Sequence, residues 1–267
     1  MMIYRGYISD LDGTIYRGEE VIPGAPQTIA ELRRRGCGVV FLSNKPLERR
    51  QAYAEKLTRL GIPTSPDEVI NSSLVLARYL ASSEHGMAGA TVFAIGEPPL
   101  LEELTAAGLC LSNAPEEIEV VIASFDRTFD YDKLSIGFQA LRRGARFLAT
   151  HADRTCPVEG GEIPDAGAVI GALEGCSGRK VELVVGKPSP LIMEMALERL
   201  GLPADVCLMV GDRLETDIVM GRRVGMSTAL VLSGVTRRED LAHSSIQPDY
   251  VLESIADLRD PKGFRNP

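Results

Sequence analysis

The sequence lacks any run of about 18 consecutive apolar residues, the length a membrane-spanning helix needs. Its first residues enter a strand-like segment with no basic-then-apolar leader, so a cytoplasmic protein with no membrane partner is expected. Basic charge is also short: 29 Lys and Arg against 37 Asp and Glu leave a net charge of -8. A general binder of phosphate backbones needs a basic face that releases counterions, so nucleic acid is not an expected partner. An anionic substrate would have to be held by local positive charge. Cysteine is sparse and scattered: Cys37, Cys110, Cys156, Cys176 and Cys207 are odd in number and form no CxxC pair. Neither a disulfide framework nor a thiolate metal site is signalled, and free thiols are expected. The three histidines, His85, His151 and His243, are too dispersed to suggest a His-based metal site. No internal repeat, low-complexity tract or charge block is present.

What remains is an ordinary globular composition, 45% hydrophobic and 25% charged with 26 Gly and 16 Pro, which implies a real buried core. At about 150 residues per domain, 267 residues favour two domains. Short β-branched runs alternate with amphipathic segments: strands over 4–9 and 39–43, helices over 26–35 and 47–60. This is the β-α-β rhythm of an α/β protein with a parallel sheet. The runs 38–43 and 206–211 are apolar throughout, as strands covered on both faces should be. Between them lies a second series, with strands at 91–95, 119–124 and 146–150 and helices at 98–107, 131–143 and 167–173. The polar, Gly-containing stretches 81–89 and 174–180 read as boundaries. They divide the chain into a core of 1–82 plus 181–267 and an inserted domain of 83–180.

Four points carry chemistry. Asp10-Leu-Asp12-Gly-Thr places two carboxylates two residues apart where an apolar strand ends, which is where ligands bind in open α/β sheets. Period two aims both carboxylates the same way, so they can share a Mg2+ and divide labour as nucleophile and acid/base. The same pattern can be a turn whose Asp side chains cap local backbone. An EF-hand is a poorer match, since its Gly belongs at the sixth position and Gly13 comes fourth. A second acidic pair, Asp212 and Asp217, follows the strand at 206–211, with Asp217 at a helix start where a carboxylate is favoured. Ser43-Asn44-Lys45-Pro46 ends another buried strand and is expected to open a helix whose free N–H groups face an anion; a plain Ser/Asn helix cap is the alternative. Gly186-Lys187-Pro188 offers a lysine at a helix entrance but is not a P-loop, because Val181 replaces the earlier Gly and Pro188 the Ser/Thr.

Taken in order, Asp10-Leu-Asp12-Gly-Thr, Ser43-Asn44, Gly-Lys187-Pro and Gly-Asp212-Arg-Leu-Glu-Thr-Asp217 resemble the four motifs of the haloacid dehalogenase (HAD) superfamily of phosphatases. The segments 95–104 and 149–157, followed by 161–167, resemble the class IIA, NagD-like branch, which includes p-nitrophenyl phosphatases, pyridoxal phosphate phosphatase and the arabinose-operon sugar phosphatase. The resemblance covers nearly the whole chain. It implies a Rossmann-like parallel-sheet core, the HAD fold, with an inserted α/β C2-type cap. By the same resemblance, Asp10 is the nucleophile that becomes an aspartyl-phosphate and Asp12 the acid/base. Mg2+ is held by the Asp10 carboxylate, the Asp12 carbonyl and Asp212, with Asp217 supporting. Ser43, the Asn44 backbone and Lys187 hold the phosphoryl oxygens. The sequence departs from many relatives at Lys45-Pro46, which add a cation beside the phosphate site, and at His151, where Asn or Asp is common.

The expected partner is a small phosphorylated metabolite, and a homodimer stays open. A phospho-accepting signalling module also combines an Asp acceptor, Mg2+, Ser/Thr and Lys, but Asp12 would be out of place there because it hastens hydrolysis. In a capped enzyme, leaving-group discrimination falls to cap residues, and His151, Asp153, Arg154 and Cys156 are the candidates, although a solvated loop is the alternative. Pyridoxal-phosphate-specific relatives carry His immediately before the cap-loop Pro, where Cys156 stands here. Small sugar or polyol phosphates, hydrolysed with broad tolerance, are therefore favoured over pyridoxal phosphate, phosphoglycolate or nucleotides.

Overall fold

The computed structural model describes residues 4–158 and 160–259, so both ends of the expected core (1–3 and 260–267) lie outside the described residues. The chain divides into two units: Met1–Ser43, Arg50–Ile70 and Lys187–Pro267 form the first, Asn44–Arg49 and Asn71–Gly186 the second.

The first unit is built on a six-stranded sheet in the order Tyr250–Leu252, Ser227–Val231, Cys207–Gly211, Gly6–Asp10, Gly38–Ser43, Val69–Asn71. Gly6–Asp10 is central and pairs in parallel with both neighbours, Asp10 opposite Leu42 on one side and Ser9 opposite Val210 on the other. All five residues of Gly6–Asp10 and of Cys207–Gly211 are buried. This is why Cys207–Gly211 is apolar throughout rather than alternating. Strand order reverses direction at Gly6–Asp10, a topological switch point, and the register brings Asp10, Ser43 and Asp212 to the carboxyl ends of three adjacent strands. The helix Ala25–Arg34 buries Ala25, Thr28, Ile29 and Leu32 at helical spacing and starts with Pro26 in its first turn.

The second unit has a five-stranded sheet in the order Leu183–Val184, Arg146–Ala149, Val120–Ala123, Thr91–Ile95, Cys110–Leu111, every pairing parallel. Helices Tyr131–Arg142 and Ala166–Ser177 pack with this sheet around Phe147, Val121 and Leu173, and an antiparallel hairpin joins Thr155–Val158 to Gly161–Pro164.

Three local features differ from the sequence reading. The helix expected from residue 47 begins at Arg50, because Pro46 supplies no N–H and the carbonyls of Asn44 and Glu48 accept instead from Ser72 Oγ (2.6 Å) and Asn71 Nδ2 (3.2 Å). The helix expected to stop at 173 continues to Ser177, with Ser177 Oγ donating to the Leu173 carbonyl at 2.6 Å and Gly178 ending it in the left-handed region at φ 67°. Third, Ser72–Ala81 and Leu183–Val184 group with the second unit rather than with the core, the former packing against helix Pro98–Ala106 and the latter completing the second sheet. Among the described residues, no helix is long and apolar enough to cross a membrane.

The close approach of helix Tyr131–Arg142 to its neighbours depends on Gly137. A Cβ there would lie 2.9 Å from Leu173 Cδ2 and 3.5 Å from Val121 Cγ1. Gly137→Val is expected to destabilise the second unit by about 1–3 kcal/mol through overpacking. Hydrogen exchange of the amides in Val120–Ala123 measures this; unchanged protection would contradict the packing account.

Candidate active site

Asp10 ends its strand 6% exposed, and Asp212, one residue past Cys207–Gly211, is 1% exposed. Asp217 lies in the single wide turn Leu214–Ile218 and is fully buried. Oxygens from these three carboxylates lie within 4.8 Å of one another. Such crowding is unfavourable unless opposed, and the opposing charge is Lys187, also buried. Its Nζ donates to Asp10 Oδ1 and, at 2.9 Å, to Asp217 Oδ1. Burial, with the charges of Asp217 and Asp212, pushes the Asp10 carboxyl up to about 8 against the pull of Lys187. Burial likewise, with Asp217 beside it, pushes Asp212 up to about 6. Burial works against the Lys187 ammonium, but Asp10 and Asp217 outweigh it and hold the pKa above the ordinary value. The lysine stays charged.

Asp212 is seated by a loop that the sequence reading did not single out. The Val235 N–H donates to Asp212 Oδ2 at 2.7 Å and the Thr236 N–H to its carbonyl at 3.2 Å. Ser233 Oγ donates to the Gly13 carbonyl at 2.7 Å, and Arg17 Nε to the Ser233 carbonyl at 2.6 Å, so the two acidic strand ends are tied together. Gly13 sits at φ 85°, and a Cβ there would lie 2.5 Å from Asp212 Oδ2; one at Gly234 would collide with the same carboxylate. No sequence signal marks Gly234 beyond its being a glycine in a loop.

The chemistry of this donor set fits a hard divalent cation. Three carboxylates face one ammonium, leaving an excess of negative charge, and among the described residues Asp212 Oδ1 is buried without a hydrogen-bond partner. Asp217 differs, since its Oδ1 accepts from Lys187 and its Oδ2 from the Arg213 N–H at 3.1 Å. Asp212 thus has the open valence, and Asp217 has both oxygens engaged. The Asp12 side chain stands outside this cluster, partly exposed, with its backbone bridged to Tyr16.

Ser43, 7% exposed, ends the neighbouring strand, and its Oγ donates to Tyr53 Oη at 3.3 Å. Tyr53 was not singled out in the sequence, because an inward-facing aromatic on an amphipathic helix reads as core. Asn44, the next residue, belongs to the second unit, where its Nδ2 donates to Asp153 Oδ2 at 3.2 Å. Lys45 is partly exposed, and residues 44–46 are not helical, so no helix N-terminus stands at that point.

The remaining candidates lie within the second unit. His151 is fully buried, its ring nitrogens bonded to Thr150 Oγ1 at 2.9 Å and Asp165 Oδ1 at 2.8 Å. Thr150 Oγ1 in turn meets Ser124 Oγ at 2.8 Å, and Asp165 caps helix Ala166–Ser177. Ligand atoms of His151, Asp153 and Asp165 lie within 4.8 Å of one another; His151 and Asp165 are hydrogen-bonded to each other, and Asp153 accepts from Asn44. Cys156 is 5% exposed on the hairpin, Asp153 is half-buried and Arg154 is exposed.

Two family models match, a haloacid dehalogenase-like hydrolase over residues 7–110 and a HAD-hydrolase-like one over 184–258. The sugar-phosphatase AraL of Bacillus subtilis is 41% identical, over 95% of this chain and 91% of its own. The chain belongs to the haloacid dehalogenase superfamily. Among solved structures, a p-nitrophenyl phosphatase from Archaeoglobus fulgidus superposes with a TM-score of 0.90 at 36% identity, covering 96% of this chain and 98% of that one. NagD from E. coli K-12 superposes with a TM-score of 0.87 at 30% identity and the same coverage. The protein is a HAD-type phosphatase of the NagD-like class IIA branch, which sets aside the signalling-module alternative.

An acid whose pKa is higher in the folded than in the unfolded state binds an extra proton when folded, so stability falls as pH rises through that interval. Asp10 and Asp212 both act in this sense below about pH 8. In chelator, the melting temperature should therefore decline from about pH 5 to 8, and a divalent cation should restore most at the upper end. A melting temperature that rises over this interval would contradict the crowded-carboxylate account.

Proposed function

We propose that this phosphatase hydrolyses small phosphate monoesters, sugar or polyol phosphates among them, with Mg2+ and through an aspartyl-phosphate on Asp10. The observation that carries this reading is the buried set Asp10, Asp212, Asp217 and Lys187, with Asp10 and Asp212 at the carboxyl ends of adjacent strands and Asp212 Oδ1 left open among the described residues.

Asp10, the Asp12 carbonyl and Asp212 would hold the metal, and Asp217 would steady Lys187, whose Nζ donates to its Oδ1. Bound there, Mg2+ supplies charge neutralisation for the phosphoryl oxygens. Asp10 Oδ attacks phosphorus while the ester oxygen departs, and Asp12 gives that oxygen its proton. Asp12 then takes a proton from the water that attacks the aspartyl-phosphate, releasing phosphate and restoring Asp10. Its partial exposure suits a group that exchanges protons with each turnover. Lys187 Nζ, Ser43 Oγ and the Asn44 N–H would hold the oxygens in transfer, a task of positioning and charge. Lys187 already touches Asp10, so little reorganisation is needed.

The substrate reading rests on Cys156, which puts a small thiol where a ring-contacting His would favour pyridoxal phosphate, and on the likeness to a protein named a sugar phosphatase. The odd number of cysteines, scattered without a CxxC pair, supports a cytoplasmic setting.

Asp10→Asn should abolish turnover of p-nitrophenyl phosphate without lowering the melting temperature severely, because the amide fills the same volume but does not form the acyl-phosphate. Asp12→Asn should cost about 10²–10⁴-fold with a sugar phosphate and distinctly less with p-nitrophenyl phosphate, whose leaving group needs little protonation. Equal losses would refute the acid role. Specificity constants across sugar phosphates, pyridoxal phosphate, phosphoglycolate and nucleotides test the substrate; a strong preference for pyridoxal phosphate would overturn the sugar reading and leave the phosphatase intact.

A further inference from the structure

The proposed site contains one hydroxyl whose direction is set by a residue outside it. Ser43 Oγ lies 3.3 Å from Tyr53 Oη, both groups are buried, and Tyr53 comes from helix Arg50–Arg59, where it faces the apolar core with Ala54 and Leu57. A serine hydroxyl has three staggered positions and one proton, so a buried partner for its oxygen decides where that proton points. We infer that Tyr53 is a positioning residue, acting through Ser43 on the phosphoryl group; this rests on the reading of Ser43 as a phosphoryl ligand.

Ser43 donates to Tyr53. When a phosphoryl oxygen arrives, the Ser43 proton turns to it, and the Tyr53 phenol turns to donate to Ser43 Oγ. Two hydroxyl rotors move, no bond to hydrogen is broken, and the chain from Tyr53 through Ser43 to the phosphoryl oxygen polarises in one direction. Ser43 then keeps its oxygen satisfied while giving up its proton to the substrate. Without the phenol, Ser43 would lose the hydrogen bond that ties it to helix Arg50–Arg59.

The test is a double-mutant cycle on the full-length enzyme with Mg2+, combining Tyr53→Phe, Ser43→Ala and both. Readouts are kcat and KM for p-nitrophenyl phosphate and the competitive inhibition constant of inorganic phosphate, with melting temperature to monitor folding. Tyr53→Phe should weaken phosphate inhibition and lower kcat/KM by about 5- to 10-fold, the worth of one buried hydrogen bond. In the Ser43→Ala background the same change should have no further effect, because a residue that acts through Ser43 is silent once that hydroxyl is gone. Tyr53→Met, which fills the space without a hydroxyl, should behave like Tyr53→Phe and serves if the latter folds poorly. An equal loss in both backgrounds, or none in the native one while Ser43→Ala is impaired, would overturn the inference alone. Full activity of Ser43→Ala would overturn the phosphoryl-ligand reading and the inference with it.

Discussion

The first unit depends on Lys187 standing between Asp10 and Asp217 out of contact with water. Burying a charged group costs several kcal/mol, and a buried pair that loses one partner leaves the other uncompensated. Three buried carboxylates around one ammonium are therefore poor stabilisers of a fold. Their arrangement makes sense only as preorganisation: the sheet, the loop 232–236 and the glycines at 13, 211 and 234 hold charges where they would otherwise repel and spread apart. The cavity left by those glycines is filled by carboxylate, so the backbone is built around the acids.

From that constraint the chemistry follows with few further parts. Lys187 keeps its proton and lies against the proposed nucleophile, so positive charge is already where phosphoryl charge arrives. Among the described residues, Asp212 has one oxygen secured by Val235 and one left open, whereas Asp217 is fully engaged, and the proposed division into metal ligand and supporting residue rests on this asymmetry. The overall charge of the chain is negative, so in the proposed reaction it is the buried Lys187 ammonium together with the metal that would draw phosphate.

The parallel sheet and the acidic strand ends were legible because they leave one-dimensional marks: unbroken apolar runs for strands covered on both faces, and polar residues directly after them. The chain-order spacing of Asp10, Ser43, Lys187 and Asp212 also carried the family. What was not legible depends on tertiary partners. Tyr53 reads as core until its hydroxyl is seen beside Ser43, and Val235 is a loop residue until its N–H meets Asp212. The segment after Ser43 looked like a helix entrance, but the side chains of Asn71 and Ser72, distant in sequence, take up its carbonyls. His151 looked like a contact residue on polarity, and a network through Ser124, Thr150 and Asp165 encloses it instead.

The central claim is that Asp10 becomes covalently phosphorylated during turnover. Acid quench in the pre-steady state with a labelled phosphate monoester, followed by proteolysis and mass spectrometry of the peptide carrying Asp10 and Asp12, tests it directly. The account predicts acid-stable, base-labile label on Asp10, appearing before free phosphate is released. Label on Asp12, or turnover with no labelled peptide under conditions where the label is stable and the intermediate should accumulate, would contradict it.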